Sequence, residues 1–167
     1  ELYCPPNQAE KLWYALLEGG KDLGCAPAGL GARDSLRTEM KYALYGNDID
    51  DQHTPLEAGL GWIVKLDKGE FIGAGALKAQ TAKGLTRKLV GFELTEPGVP
   101  RAHYPILVGG QKVGEVTSGT MGPSVKKAIG IGYVPVSHAA EGSTFHIDIR
   151  GRPVAARVVK TPFYQRG

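Results

Sequence analysis

The C-terminal half of this chain predicts an antiparallel β fold, a small barrel or sandwich, and the N-terminal half predicts helices separated by turns. Three observations carry that reading. Short apolar segments recur from Lys88 onward, with turn signals about every 8–12 residues. The 24 glycines and 11 prolines among 167 residues imply many tight turns and argue against a helical bundle. Helical periodicity and capping signals are confined to the first half.

The first predicted helix runs from Asn7 to Leu17. Asn7 is a good N-cap and Glu10 stands where a capping box needs it. Ala9, Leu12, Trp13, Leu16 and Leu17 follow the helical period, which makes Trp13 a core residue, and Gly19-Gly20 ends the helix. A second helix is predicted from Arg33 to Leu44, with Leu36, Met40, Ala43 and Leu44 as its apolar face and Gly46-Asn47 as its stop. Thr54-Pro55-Leu56-Glu57 starts a third, short helix, with a Thr cap, Pro at the first position and Glu at the third. Trp62-Ile63-Val64 and Phe71-Ile72 read as short extended or buried pieces, and Gln80 to Leu85 as a polar linker.

Strands follow. Lys88 to Leu94 is the first; Pro105 to Val108 and Lys112 to Thr117 form a hairpin about Gly109-Gly110. Ala128 to Val134, Thr144 to Arg150 and Val154 to Val159 complete the set, the last two joined by Gly151-Arg152-Pro153. Thr117 to Ser124 reads as a polar loop that satisfies its own backbone. There is no internal repeat and no low-complexity tract.

The 42% hydrophobic and 22% charged composition is that of a soluble globular protein, and no apolar run reaches membrane-spanning length. Net charge is −4 over residues 1–82 and +7 over residues 83–167, so the C-terminal half favours an anionic ligand or an acidic partner. No finger, recognition helix or aromatic-rich basic strand supports nucleic acid. His53, His103, His138 and His146 are dispersed, and Cys4 and Cys25 lack ligand spacing, so no metal site is expected. The two cysteines read as free thiols of a reducing compartment. Gly73-Ala74-Gly75 lacks the Lys-Ser/Thr ending of a phosphate loop, and Asn47 to Asp51 lacks the spacing of a calcium loop.

The segment most suited to ligand chemistry is Gly29 to Arg37. A glycine-rich turn precedes a helix in which Arg33 and Arg37, one turn apart, share a face. Two guanidinium forks there suit a carboxylate or another anion. The alternative is a pair of surface arginines matched with Asp34 and Glu39.

Several motifs stand in order: Gly31-Ala32-Arg33-Asp34-Ser35-Leu36-Arg37, Leu44-Tyr45-Gly46-Asn47-Asp48-Ile49, Thr54 to Trp62, Val116 to Thr120, Gly130-Ile131-Gly132-Tyr133-Val134 and Val158 to Tyr164. The set resembles, over essentially the whole chain, the C-terminal half of the glycine cleavage T-protein family of folate-dependent aminomethyltransferases. The resemblance implies an α+β fold, with residues 1–82 the later part of a folate-binding α+β domain and residues 83–167 a small C-terminal antiparallel β-barrel. It implies transfer of a methylene group from the aminomethyl-lipoyl arm of an H-protein to tetrahydrofolate, with release of ammonia, in the cytoplasm or, in a eukaryote, the mitochondrial matrix. Tetrahydrofolate is then the co-substrate, and the lipoylated H-protein the partner, with no nucleic acid or membrane involved.

By the same resemblance Glu1 binds the pterin ring, Arg33 contacts folate, and Tyr164 and Arg166 lie close to the folate. The family's catalytic aspartate belongs to the half that precedes these motifs, so the fragment alone is expected to be inactive. Two departures from the pattern are Met40-Lys41 for the commoner Ala-Gly, expected to disturb helix packing, and Gly122 for the usual Ser. The alternatives are the folate-binding tail of a sarcosine- or dimethylglycine-oxidising flavoenzyme and a non-catalytic folate-binding module.

Overall fold

The computed structural model describes residues 1–165. The chain divides into two compact units, Glu1–Arg33 and the chain from Asp34 onward.

In the first unit a 3₁₀ turn, Pro6–Gln8, leads into α1, Ala9–Gly19. Asn7 therefore lies inside that turn and does not cap the helix; Gln8 holds the cap position without a side-chain hydrogen bond. Pro5-Pro6 explains the delay, because proline fixes its own φ and favours a tight first turn over an Asn cap. No residue of α1 is buried, and Trp13 is 49% exposed, so Trp13 is not a core residue here. A unit of this size cannot enclose a helix face.

Helix α2 is Leu30–Glu39, three residues earlier at its start than its apolar pattern suggests and five earlier at its end. Lys41 stops it. The residue takes φ 53°, and its N–H donates to Thr38 O at 2.9 Å while Tyr42 N–H donates to Arg37 O at 2.8 Å. These bonds close the helix end as a left-handed residue commonly does, so Lys41 terminates the helix without disturbing its packing. The apolar-face reading is inverted: Leu36 is 53% exposed, and the buried residues of α2 are Arg37, Thr38 and Glu39.

The Thr54 capping box forms, with Thr54 N–H donating to Glu57 Oε2 at 2.9 Å and Glu57 N–H to Thr54 Oγ1 at 3.2 Å, but it opens only a run of turns. Gly59, at φ 75°, stops the run before a helix can nucleate. Trp62 and Ile63 lie exposed in a 3₁₀ turn, Gly61–Ile63, and Ile72 is fully exposed. The expected linker at Gln80 to Leu85 is instead mostly the end of a helix, α3, Ala74–Lys83. Its alanines and unbranched side chains favour helix despite their weak amphipathicity. Among the described residues no helix is long and apolar enough to cross a membrane.

Six strands, β1 Arg87–Leu94, β2 Pro105–Val108, β3 Gln111–Met121, β4 Ala128–Pro135, β5 Thr144–Ile149 and β6 Arg152–Val159, close an antiparallel barrel in the order β1-β4-β3-β2-β5-β6. Gly109 and Gly110, at φ 58° and 79°, make the primed turn of the β2–β3 hairpin. Arg150 and Gly151 make the β5–β6 turn, which places Arg152 and Pro153 in β6. Strand β3 continues through Met121, so most of the expected polar loop at Thr117 to Ser124 is strand.

Phe92, Ile106, Val116, Val134, Phe145, Ile147 and Val158 fill the interior, with Phe92 and Phe145 edge to face at 5.5 Å. The glycines of β4 make room for them. A Cβ on Gly130 would stand 2.3 Å from the Phe92 ring, and one on Gly132 would stand 2.7 Å from Glu115 O. The outward residues Leu89, Ile131 and Tyr133 are covered by Ala58, Ile49, Leu60 and Phe163. That cover is why β1 and β4 are buried on both faces, where a barrel wall facing water would alternate.

Candidate functional site

A buried polar network in the second unit joins the segments singled out in the sequence. Arg37 is at its centre, 9% exposed. Its Nε donates to Asp34 Oδ1 at 2.8 Å, one Nη to Ser118 Oγ at 2.8 Å and the other to Asp48 Oδ2. Asp48 is fully buried and saturated: Oδ2 also accepts Leu44 N–H at 3.0 Å, and Oδ1 accepts the Thr117 hydroxyl. The Asp48 carbonyl accepts the Tyr133 phenol at 2.9 Å. The β3–β4 register shifts between Val116 and Ser118, which places Thr117 and Ser118 side by side toward this network. Buried ions persist only when paired and hydrogen-bonded, and here every charge is.

A second anchor lies at Glu39, 2% exposed. Its Oε1 accepts Ser124 N–H at 2.7 Å and Val125 N–H at 3.1 Å, and its carbonyl accepts Phe163 N–H at 2.9 Å and Tyr164 N–H at 3.1 Å. Gly122 is packed against the same carboxylate; a Cβ there would stand 2.9 Å from Glu39 Oε1 and 2.5 Å from Val125 Cγ2. The departure at that position is therefore a packing matter, since any side chain there would crowd Glu39 and Val125.

A third group lines a cavity of about 570 Å³. Tyr133 stacks on His53 at 4.1 Å with Arg87 above its ring, and burial beside Glu57 pushes the phenol well up. Arg87 Nε donates to Glu57 Oε1 at 3.0 Å. Burial pulls the Glu57 carboxyl up, but Arg87 and the Thr54 donors outweigh it and hold the group below the ordinary carboxylate range. His53 and Gln52 N–H hold Asp50 low in the same way. Among the described residues no cluster of His, Cys, Asp and Glu is placed to hold a metal.

The residues expected to contact folate fall as follows. Glu1 is exposed, and its Oε2 accepts the Tyr3 phenol, which pushes the Tyr3 pKa up. Arg33 is exposed on α2, and among the described residues its guanidinium makes no ion pair. Tyr164 is 40% exposed, with its backbone held by Glu39. Arg166 lies outside the described residues. The expected partnership of Arg33 and Arg37 on a ligand does not form, because Arg37 spends its donors on Asp34, Asp48 and Ser118. The pairing alternative is right about Asp34 and wrong about exposure and about Glu39, which binds backbone N–H groups.

Sequence reasoning missed Asp48, Thr117 and Ser118 as a connected set, and Glu39 as a separate anchor. Asp48 reads as one acid in an acidic turn and Thr117-Ser118 as loop hydroxyls. The available signal was that all four fall in or beside the ordered motifs.

Comparison with known proteins agrees with this picture. Residues 87–165 match the family described as "Glycine cleavage T-protein C-terminal barrel domain", and residues 1–68 match "GCVT N-terminal domain". The chain is 54% identical over 166 residues to an aminomethyltransferase of Symbiobacterium thermophilum, covering 99% of this chain and 44% of that protein. It is 53% identical over 163 residues to an aminomethyltransferase of Halothermothrix orenii, covering 98% of this chain and 46% of that protein. The crystal structure of glycine cleavage system aminomethyltransferase T from Bartonella henselae superposes with a TM-score of 0.86 at 36% identity, covering 96% of this chain and 45% of that one. The chain thus spans a little under half the length of the relatives it matches.

Proposed function

We infer the function from one premise: the chain belongs to the glycine cleavage T-protein family, matching its N-terminal domain and its C-terminal barrel domain in order. The proposed activity of the whole polypeptide is transfer of the methylene group from an aminomethyl-lipoyl H-protein to tetrahydrofolate, with release of ammonia and of the dihydrolipoyl arm. The single observation that carries it is identity of 54% to a named aminomethyltransferase across 99% of this chain. Relatives so named do not favour the flavoenzyme-tail alternative.

Within that activity the chain's share is to bind and orient folate. Arg33 is the proposed contact because its fork of donors is exposed and uncommitted among the described residues, and a guanidinium matches a carboxylate or a polarised carbonyl. Glu1 supplies an acceptor for the amino and N–H edge of a pterin, with one carboxylate oxygen already taken by Tyr3. Tyr164 and Arg166 are proposed beside the folate. The group that handles the proton at folate nitrogen is assigned to the part of the protein that precedes this chain. The +7 charge of residues 83–167 suits the polyglutamate tail of folate and an acidic carrier surface. The proposed domain division at residues 82 and 83 separates the folate-binding part from the barrel.

Calorimetry of tetrahydrofolate on the full-length polypeptide tests this reading. Binding is expected, weakened by about 2 kcal/mol in Arg33→Ala through loss of a charge-assisted contact. Unchanged affinity would remove Arg33 from the site, and absence of binding by the full-length protein would remove the function.

A further inference from the structure

Lys41 stands apart from the polar network. Its backbone is left-handed, a conformation rarely given to a residue with a Cβ, and its side chain is turned inward to donate from Nζ to Leu89 O at 3.1 Å. Two hollows meet at this amine. One, of about 390 Å³, is walled by Ala58, Leu60, Trp62 and Pro162; the other, of about 310 Å³, by Lys88, Glu57, Glu141 and Val158. Burial and the nearby Lys88 ammonium lower the Lys41 pKa, and Asp48 opposes them only in part. The charged form is thus disfavoured by place and by neighbour, while open space adjoins the nitrogen.

We propose that Lys41 is a site of covalent acylation by small acyl phosphates. The neutral amine attacks the carbonyl carbon, forming the C–N bond. The C–O bond to phosphate breaks, phosphate leaves with the electron pair, and the extra proton on nitrogen passes to solvent. No electron is gained or lost overall. The product amide keeps one N–H for Leu89 O, removes the charge that faces Lys88, and directs its acyl methyl toward the hollow beside Ala58 and Leu60. The Lys88 ammonium attracts the anionic donor.

The test treats the full-length polypeptide that carries this chain with acetyl phosphate at about pH 8 and follows each lysine by peptide mass mapping. Lys41 is expected to acetylate about fivefold faster than the exposed Lys11 and Lys65, with the advantage shrinking as pH approaches the ordinary lysine value of 10.5. The acetylated protein is expected to melt no lower than the parent, and Lys41→Met to leave the Lys11 and Lys65 rates unchanged. Acetylation of Lys41 no faster than that of Lys11 and Lys65 would overturn the proposal, as would a fall in melting temperature on acetylation.

Discussion

Replacing Asp48 isolates the energetics of the buried network. Asp48 is fully buried and Arg37 is 9% exposed, so neither charge has water to fall back on. Asp48→Ala strips the guanidinium of its buried partner and leaves Leu44 N–H short of an acceptor. Breaking one side of a buried pair costs about 3–5 kcal/mol. Asp48→Asn is milder. Its carbonyl can still accept from Arg37 and Leu44, and its amide can donate to Thr117 Oγ1, whose hydroxyl turns to Ile131 O at 3.2 Å. Only the charge is lost, at a cost of about 2 kcal/mol. With a urea slope of about 2 kcal/mol per molar, that moves the denaturation midpoint down by about 1 M. The double variant Arg37→Met with Asp48→Ala is expected to lose about 2 kcal/mol less than the sum of the singles, since the orphaned ion is gone. An Asp48→Asn midpoint indistinguishable from the parent, or strict additivity in the double variant, would refute the claim that this pair is both buried and mutually dependent.

Gly114→Ala is expected to abolish stable barrel formation in a thermal melt followed by circular dichroism, because its Cβ would meet the Tyr133 carbonyl backbone, which has no rotamer to escape into. Phe92→Ala, at the centre of the interior, is expected to cost about 3–5 kcal/mol in urea titrations. Glu57 has a depressed folded pKa, so its contribution is fully present above the ordinary value of 4.5 and is lost as pH falls through the folded value. Stability measured from pH 7 down to 3 should therefore decline less steeply in Glu57→Gln than in the parent. Lys41 gives a slope of the same sign in an alkaline window: its lowered amine pKa makes stability rise with pH toward 10.5, and Lys41→Met should flatten that rise.

The barrel strands were legible because their signals are local. Alternation, Gly109-Gly110 and the Gly151 turn each speak within a few residues, and the closed barrel has those strands within two residues of the expected bounds except at the end of β3, which runs four residues further to Met121. The helices were less so. At α2 the apolar pattern of Leu36, Met40, Ala43 and Leu44 suggested a hydrophobic stripe, yet the buried side carries Arg37, Thr38 and Glu39. Hydrophobic periodicity cannot report a polar face that is buried because its partners come from 69 to 86 residues away, as Thr117 and Ser118 do for Asp48 and Arg37, and Ser124 and Val125 do for Glu39.

The same distance dependence explains why the motif order was more informative than any motif's own chemistry. Read singly, Asp48 is a turn acid, Ser118 a loop hydroxyl and Tyr133 an aromatic strand residue. Together they are consecutive shells about one guanidinium: Asp34, Asp48 and Ser118 bind it, Thr117 and Leu44 complete the Asp48 carboxylate, and Tyr133 fixes the Asp48 carbonyl. Such a network tolerates little partial substitution, because each lost partner strands a buried polar group. Arg37 lies in the network, while Arg33, one turn away in sequence, is exposed and makes no ion pair among the described residues, so the two arginines of a single motif divide between a buried structural role and an uncommitted surface one.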